Sequence, residues 1–154
     1  MRLGNCCFYR RDAEFAETGW MELTKKVIGA AIEVHRVLGP GLLEGVYEEC
    51  LDKEFRTAGI RFQRQLELPV RYKDSILDCG YRLDFLVEDS LVVEIKSISI
   101  LQPIHEAQML TYLKLGNWNL GLLINFNMPV LKDGVRRIVL NYPEDSAPTS
   151  VPLR

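Results

Sequence analysis

Leu91-Val92-Val93-Glu94-Ile95-Lys96 combines two properties that conflict within one strand. The apolar run reads as a short buried β-strand, yet it carries a carboxylate and an amine two residues apart, hence on one face. Burying both is costly unless they are paired or bind something. The preceding strand poses the same problem at Asp84, within Arg82-Leu83-Asp84-Phe85-Leu86. Pairing through the short turn Glu88-Asp89-Ser90 would bring Asp84 and Glu94 together near one end. Two carboxylates about 4 Å apart repel by roughly 4 kcal/mol at an effective dielectric near ~20. A divalent cation removes that penalty, and oxygen ligands select magnesium or manganese. A salt bridge from Lys96 to Asp84 or Glu94 accounts for the same pattern equally well. An acid-x-Lys spacing also arises about once by chance at this composition.

The elements on either side give the strand its setting. Thr18 is placed to cap a helix over roughly 19–38, in which Met21, Val27, Ile28, Ala31, Val34, His35 and Leu38 recur at helical spacing. Gly39-Pro40-Gly41 breaks it. A second helix runs to about Ala58 on a stripe of Leu43, Val46, Tyr47, Cys50, Leu51 and Phe55, with Gly59 as its stop. The period then changes to two. Phe62, Leu66, Leu68, Val70 and Tyr72 alternate along one strand, and Tyr81, Leu83, Phe85 and Val87 line one face of the next. Beyond Lys96, Pro103 opens a helix to about Leu115. Leu120 to Phe126 is an apolar, central, parallel strand, and Val135 to Leu140 is the last. The order α-α-β-β-β-α-β-β predicts an α/β fold, with a central mixed sheet flanked by helices. Residues 1–18 read as a loosely ordered arm, 19–141 as one domain and 142–154 as a tail.

The chain has 154 residues, 47% hydrophobic and 26% charged, so a disordered or fibrous class is excluded. Its formal charge of -2 offers no bulk attraction to phosphate or anionic lipid. No window matches a membrane span or a secretory leader. Cys6, Cys7, Cys50 and Cys79 form no C-x-x-C pair and read as reduced thiols of a cytoplasmic protein.

Further polar residues fall where core residues are expected. His105, Gln108, Met109 and Tyr112 share one face of the third helix. A core tyrosine with a satisfied hydroxyl explains Tyr112, and an ordinary structural role explains His105. Glu44 opens the second helix, where the helix dipole stabilises an acid. Lys53, Arg56, Arg61, Arg64, Arg71 and Lys73 cluster against Glu54 and Glu67, as a phosphate grip or a solvated basic face.

Gly41-Leu42-Leu43-Glu44-Gly45-Val46-Tyr47 resembles the G-x-x-E-x-x-Y signature of the GxxExxY protein family. Further blocks agree in order: Val34-His35, residues 82–87, His105-Glu106-Ala107-Gln108, Tyr112-Leu113, residues 122–126 and residues 131–134. The similarity covers roughly residues 20–140. That family is grouped with the PD-(D/E)XK phosphodiesterases, so the resemblance implies a restriction-endonuclease-like core. It also implies that Asp84 and the Glu94-x-Lys96 pair are the D…(D/E)-x-K motif, with Leu83 where a proline often stands. Glu44 matches the acid of the first core helix. Gln108 and Tyr112 look like the Q-x-x-x-Y motif of RecB-like exonucleases.

The function expected from this resemblance is metal-dependent hydrolysis of a nucleic-acid phosphodiester, with DNA as the first substrate. Asp84, Glu94, the Ile95 carbonyl and Glu44 would hold Mg²⁺ or Mn²⁺. Lys96 would position the attacking water, with Asp84, Glu94 and Glu44 completing the catalytic set. Gln108 and Tyr112 would contact the substrate. A catalytically inactive nucleic-acid-binding or accessory protein of the same fold is the alternative. A homodimer or a partner protein would supply target selection. With the three acidic ligands set apart, the near-neutral charge no longer excludes a nuclease, and it predicts weak nucleic-acid binding without metal.

Overall fold

A computed structural model describes residues 6–140, with side chains described for 18–140 except Cys79. The expected tail at 142–154 lies outside the described residues, as do the side chains of Cys6 and Cys7. Helix α1 spans Cys6–Leu38 and α2 spans Glu44–Thr57. Strands β1 (Phe62–Tyr72), β2 (Ser75–Val87) and β3 (Leu91–Lys96) follow, then α3 (Pro103–Gly116), β4 (Leu120–Asn125) and β5 (Val135–Val139). A single 3-10 turn, Leu131–Gly134, precedes β5. The element order matches the sequence reading, but Thr18 is no N-cap: α1 is already helical from Cys6. Glycine at 19 raises the helical cost by only about 1 kcal/mol, too little to stop the helix there.

Local chemistry explains the breaks. Gly39 and Gly41 take φ of +68° and +97°, the left-handed region that favours glycine, and turn the chain between α1 and α2. Gly59 (φ +69°) ends α2: its N–H donates to the Arg56 carbonyl and that of Ile60 to the Phe55 carbonyl. This pair of bonds satisfies carbonyls the helix leaves open. Pro103 opens α3, whose first turn is closed by the Gln102 N–H donating to His105 Nδ1 at 2.8 Å. His105 is therefore a helix-capping residue.

The five strands lie in chain order, β1-β2-β3-β4-β5, antiparallel except for the parallel β3–β4 pair that α3 bridges. Both faces of β3 and β4 are covered, which is why these two read as continuous apolar runs. On one face α1 and α2 pack Val27, Tyr47, Leu51 and Phe55 against Phe85, Val93, Ile95 and Phe126. On the other, Met109, Tyr112 and Leu113 of α3 cover Leu83, Leu86, Val92 and Leu123.

One patterning expectation fails here. Tyr81, Leu83, Phe85 and Val87 do not share a face: Leu83 packs towards α3, Tyr81 touches Tyr112, and Phe85 and Val87 pack towards α1 and α2. On β1 the same switch separates Phe62 from Leu66 and Leu68. Between them Gln65 has φ +53°, and the register places it opposite Asp84, where the ladder has no rung. A left-handed residue within a strand rotates the chain, so period-two alternation fails across it. Tyr72 is also exposed, because the β1–β2 hairpin tip projects past the helices. Leu43, Val46 and Met21, expected in buried stripes, lie at helix edges and are exposed.

Candidate active site

The β2–β3 ladder stops at Phe85↔Val93, and the next opposed residues would be Asp84 and Glu94. In place of backbone rungs, side chains bridge the two strands. The Ile95 N–H donates to Asp84 Oδ2 at 2.8 Å, and the Asp84 N–H donates to Glu94 Oε2 at 3.4 Å. Lys96 Nζ lies 3.6 Å from Glu94 Oε1, on the same face two residues on. The Lys96 carbonyl accepts from Phe126 on the β4 side. The Ile95 carbonyl, one residue earlier, therefore faces the opened β2 side with its own N–H.

These carboxylates sit where water is scarce. Glu94 is buried and Asp84 half-buried. Burial is the first cause that pushes the Asp84 carboxyl up, opposed by the Ile95 N–H bond, with Glu48 raising it further and Lys96 lowering it. For Glu94 burial again comes first, then the charge of Asp84, and the Lys96 ammonium only partly offsets them. With both ionised, the pair would carry more negative charge than its single cation neutralises, which is why they hold protons in the absence of a further cation.

The turn after α1 and the start of α2 close one side. The Tyr47 hydroxyl donates to the Gly39 carbonyl at 2.6 Å and accepts from the Leu42 N–H at 3.2 Å, and its ring stacks on Phe126. Ser97, next to Lys96, donates its hydroxyl to the Leu42 carbonyl and its N–H to Glu44 Oε1 at 3.3 Å. Glu44 therefore stands at the end of β3. On the opposite face Tyr112 is buried, and its phenol is held above its ordinary range by burial and by the charges of Glu94 and Asp84. Gln108 hydrogen-bonds to the Tyr112 side chain.

The structure thus brings Asp84, Glu94, Ile95, Lys96 and Tyr112 to one place, with Gln108 one bond behind and Glu44 at the rim. Glu48, one helical turn after Glu44, is a neighbour that sequence reasoning did not select. It acts electrostatically on Asp84 ahead of Glu44 and accepts from Arg64 and Gln65 at 2.6 and 2.7 Å. Its i, i+4 spacing from Glu44 was the available signal. Half of the basic cluster, open to reading as a phosphate grip or a solvated face, is neutralised: Arg56 pairs with Asp52, Arg61 with Glu88, and Arg64 with Glu48 and Glu49.

A known family profile matches this chain. It covers residues 21–138 and describes the PD-(D/E)XK nuclease superfamily. The chain belongs to the PD-(D/E)XK nuclease superfamily. The narrower GxxExxY assignment stays a resemblance carried by residues 41–47. No curated protein matches the chain. A solved structure titled "Crystal structure of SSO0001" is 20% identical, with a TM-score of 0.47 over 66% of this chain and 52% of that one. The chain spans about half the length of that protein. Among the described residues, no helix is long and apolar enough to cross a membrane.

Members of a PD-(D/E)XK nuclease superfamily imply a divalent cation, and the donor chemistry here fits one. The buried Glu94 carboxyl, the half-buried Asp84 carboxyl and a backbone carbonyl are hard oxygen donors, and a cation would take up the charge of both acids on ionisation. Among the described residues no three His, Cys, Asp or Glu side chains form a ready metal cage. Water would therefore fill much of the shell, as magnesium ordinarily requires.

Proposed function

We propose that this PD-(D/E)XK protein is a metal-dependent phosphodiesterase acting on nucleic acid, with DNA as its first substrate. The supporting observation is the buried Asp84–Glu94 pair beside Lys96, where the β2–β3 ladder opens. Asp84, Glu94 and the Ile95 carbonyl would hold one Mg²⁺ or Mn²⁺, with Glu44 completing the shell through water. When bound, the cation would lower the pKa of a water and offset charge developing on the phosphate.

The chain's own groups do the rest. Lys96 orients the attacking water and presents a compact positive charge to the phosphate oxygens as negative charge builds. Glu94 anchors that ammonium from two residues away. Gln108 and Tyr112 meet the scissile phosphate or the adjoining nucleotide from the α3 side.

Incubation with single-stranded, duplex and branched DNA and with RNA in Mn²⁺ tests this reading against Lys96→Ala. Cleavage by wild type alone supports it, and equal cleavage by the variant assigns the activity to a contaminant. Binding without cleavage of every substrate favours an inactive accessory protein of the same fold.

A further inference from the structure

Tyr81 adjoins the carboxylate site without taking part in its charge chemistry. It lies three residues before Asp84 on β2, about 10 Å along the strand. Its ring meets that of Tyr112 with centroids 5.3 Å apart at 64°. Tyr112 is only 3% exposed, so its ring offers no open face for stacking, whereas Tyr81 is 39% exposed.

Beside Tyr81 the sheet is hollowed. Pro69/Val70 marks a register shift, and Gly80 packs so closely that a Cβ there would collide with the Leu68 carbonyl. Beside the bulge lies a hollow lined by Leu68, Pro69, Leu77, Gly80 and Tyr81 together with the charged Glu67, Asp78 and Arg82. Arg82 makes a 3.3 Å pair with Glu67 in which both side chains are mostly exposed. Such a pair contributes little and yields readily to a phosphate.

We propose that Tyr81 and this hollow seat an unpaired nucleobase next to the phosphate at Asp84 and Glu94, making the site selective for single strands. The inference rests on the phosphodiesterase reading and adds its substrate class. A hollow that is part apolar and part polar, with an open aromatic ring continuous with the site through Tyr112, suits a flat base with polar edges on a flexible strand. A base inside a duplex is already stacked on both faces and has none to offer. Stacking is tolerant of sequence because every base has a π-face.

Fluorescence anisotropy in EDTA, where cleavage is absent, tests this with labelled oligo-dT, a matched duplex, and an oligo-dT carrying abasic sites. Wild type is expected to prefer oligo-dT and to bind the abasic strand more weakly. Tyr81→Ala should lose about 10-fold on oligo-dT, within the range for one base–aromatic stack, and nothing on duplex. Tyr81→Phe should bind as wild type. Equal wild-type affinity for normal and abasic strands overturns the inference whatever the variants do. So does a Tyr81→Phe loss matching that of Tyr81→Ala, which would assign the effect to the hydroxyl. Cleavage of duplex and single strand alike by wild type and Tyr81→Ala overturns the inference while leaving the phosphodiesterase reading intact. No cleavage of any strand in Mn²⁺, with oligo-dT preference intact, fails that reading and leaves the base seat standing.

Discussion

Asp84 and Ile95 are joined by a hydrogen bond that replaces a rung of the sheet: the buried Ile95 N–H donates to the Asp84 carboxylate at 2.8 Å. One side chain thereby satisfies a backbone donor and holds a carboxylate beside Glu94. Structural and chemical roles of Asp84 are consequently superimposed.

They separate in two substitutions. Asp84→Asn keeps an acceptor for Ile95 and should preserve stability while abolishing Mn²⁺ binding in calorimetric titration. Asp84→Ala leaves a buried N–H without a partner and should lie about 1–3 kcal/mol below Asp84→Asn in urea denaturation. Equal stability of the two variants would show that the bond does not support the strand.

The raised carboxyls set a pH dependence. Burial brings Asp84 to about 6, and burial with the charge of Asp84 brings Glu94 to about 8. The folded state then binds these protons more tightly than the unfolded chain, so the pair supports the fold at low pH. That support declines as pH rises from about 4 towards 8. In EDTA, wild-type stability should fall over that window, and Glu94→Gln should flatten the fall. Mn²⁺ at pH 8 should restore what is lost, by binding only the folded chain. A wild-type stability that rises with pH across the same window contradicts this assignment.

Lys96 sets its ammonium 3.6 Å from Glu94 Oε1 and supplies no oxygen donor of its own. Lys96→Ala should reduce cleavage about 100-fold or more without weakening Mn²⁺ binding, since it removes a competing positive charge. A parallel loss of metal affinity would mean that Lys96 acts by shaping the carboxylate pair.

Tyr47 holds the turn that carries Glu44. Its buried hydroxyl bonds both Gly39 and Leu42. Tyr47→Phe should cost about 1–3 kcal/mol in chemical denaturation, since it leaves those two backbone groups short of a partner. Unchanged stability would show that solvent or a neighbour replaces the hydroxyl.

The order of elements, the parallel β3–β4 pair, and the odd position of Glu94 and Lys96 in an apolar strand were legible in the sequence. Each follows from local rules: period, helix-breaking glycine and proline, and the cost of a buried charge. Thr18 misled because a good capping residue is also tolerated inside a helix. The basic run 53–73 left two readings open for another reason: the partners of its arginines, Glu48, Glu49, Asp52 and Glu88, are mostly brought to it by folding.

By itself the sequence determined the order of strands and helices, and that charged side chains lie on a buried strand. Only the tertiary structure decided what surrounds them. The switch of face at Gln65 and Asp84 sends Leu83 and Tyr81 towards α3 and Phe85 towards α2. It also opens the ladder so that Asp84 meets Ile95 and Glu94. Period-two patterning presumes an uninterrupted pleat, and one left-handed residue opposite the site removes that premise. Glu48 came to Asp84 through the packing of α2, and Tyr81 came to Tyr112 through that local twist and the packing of α3.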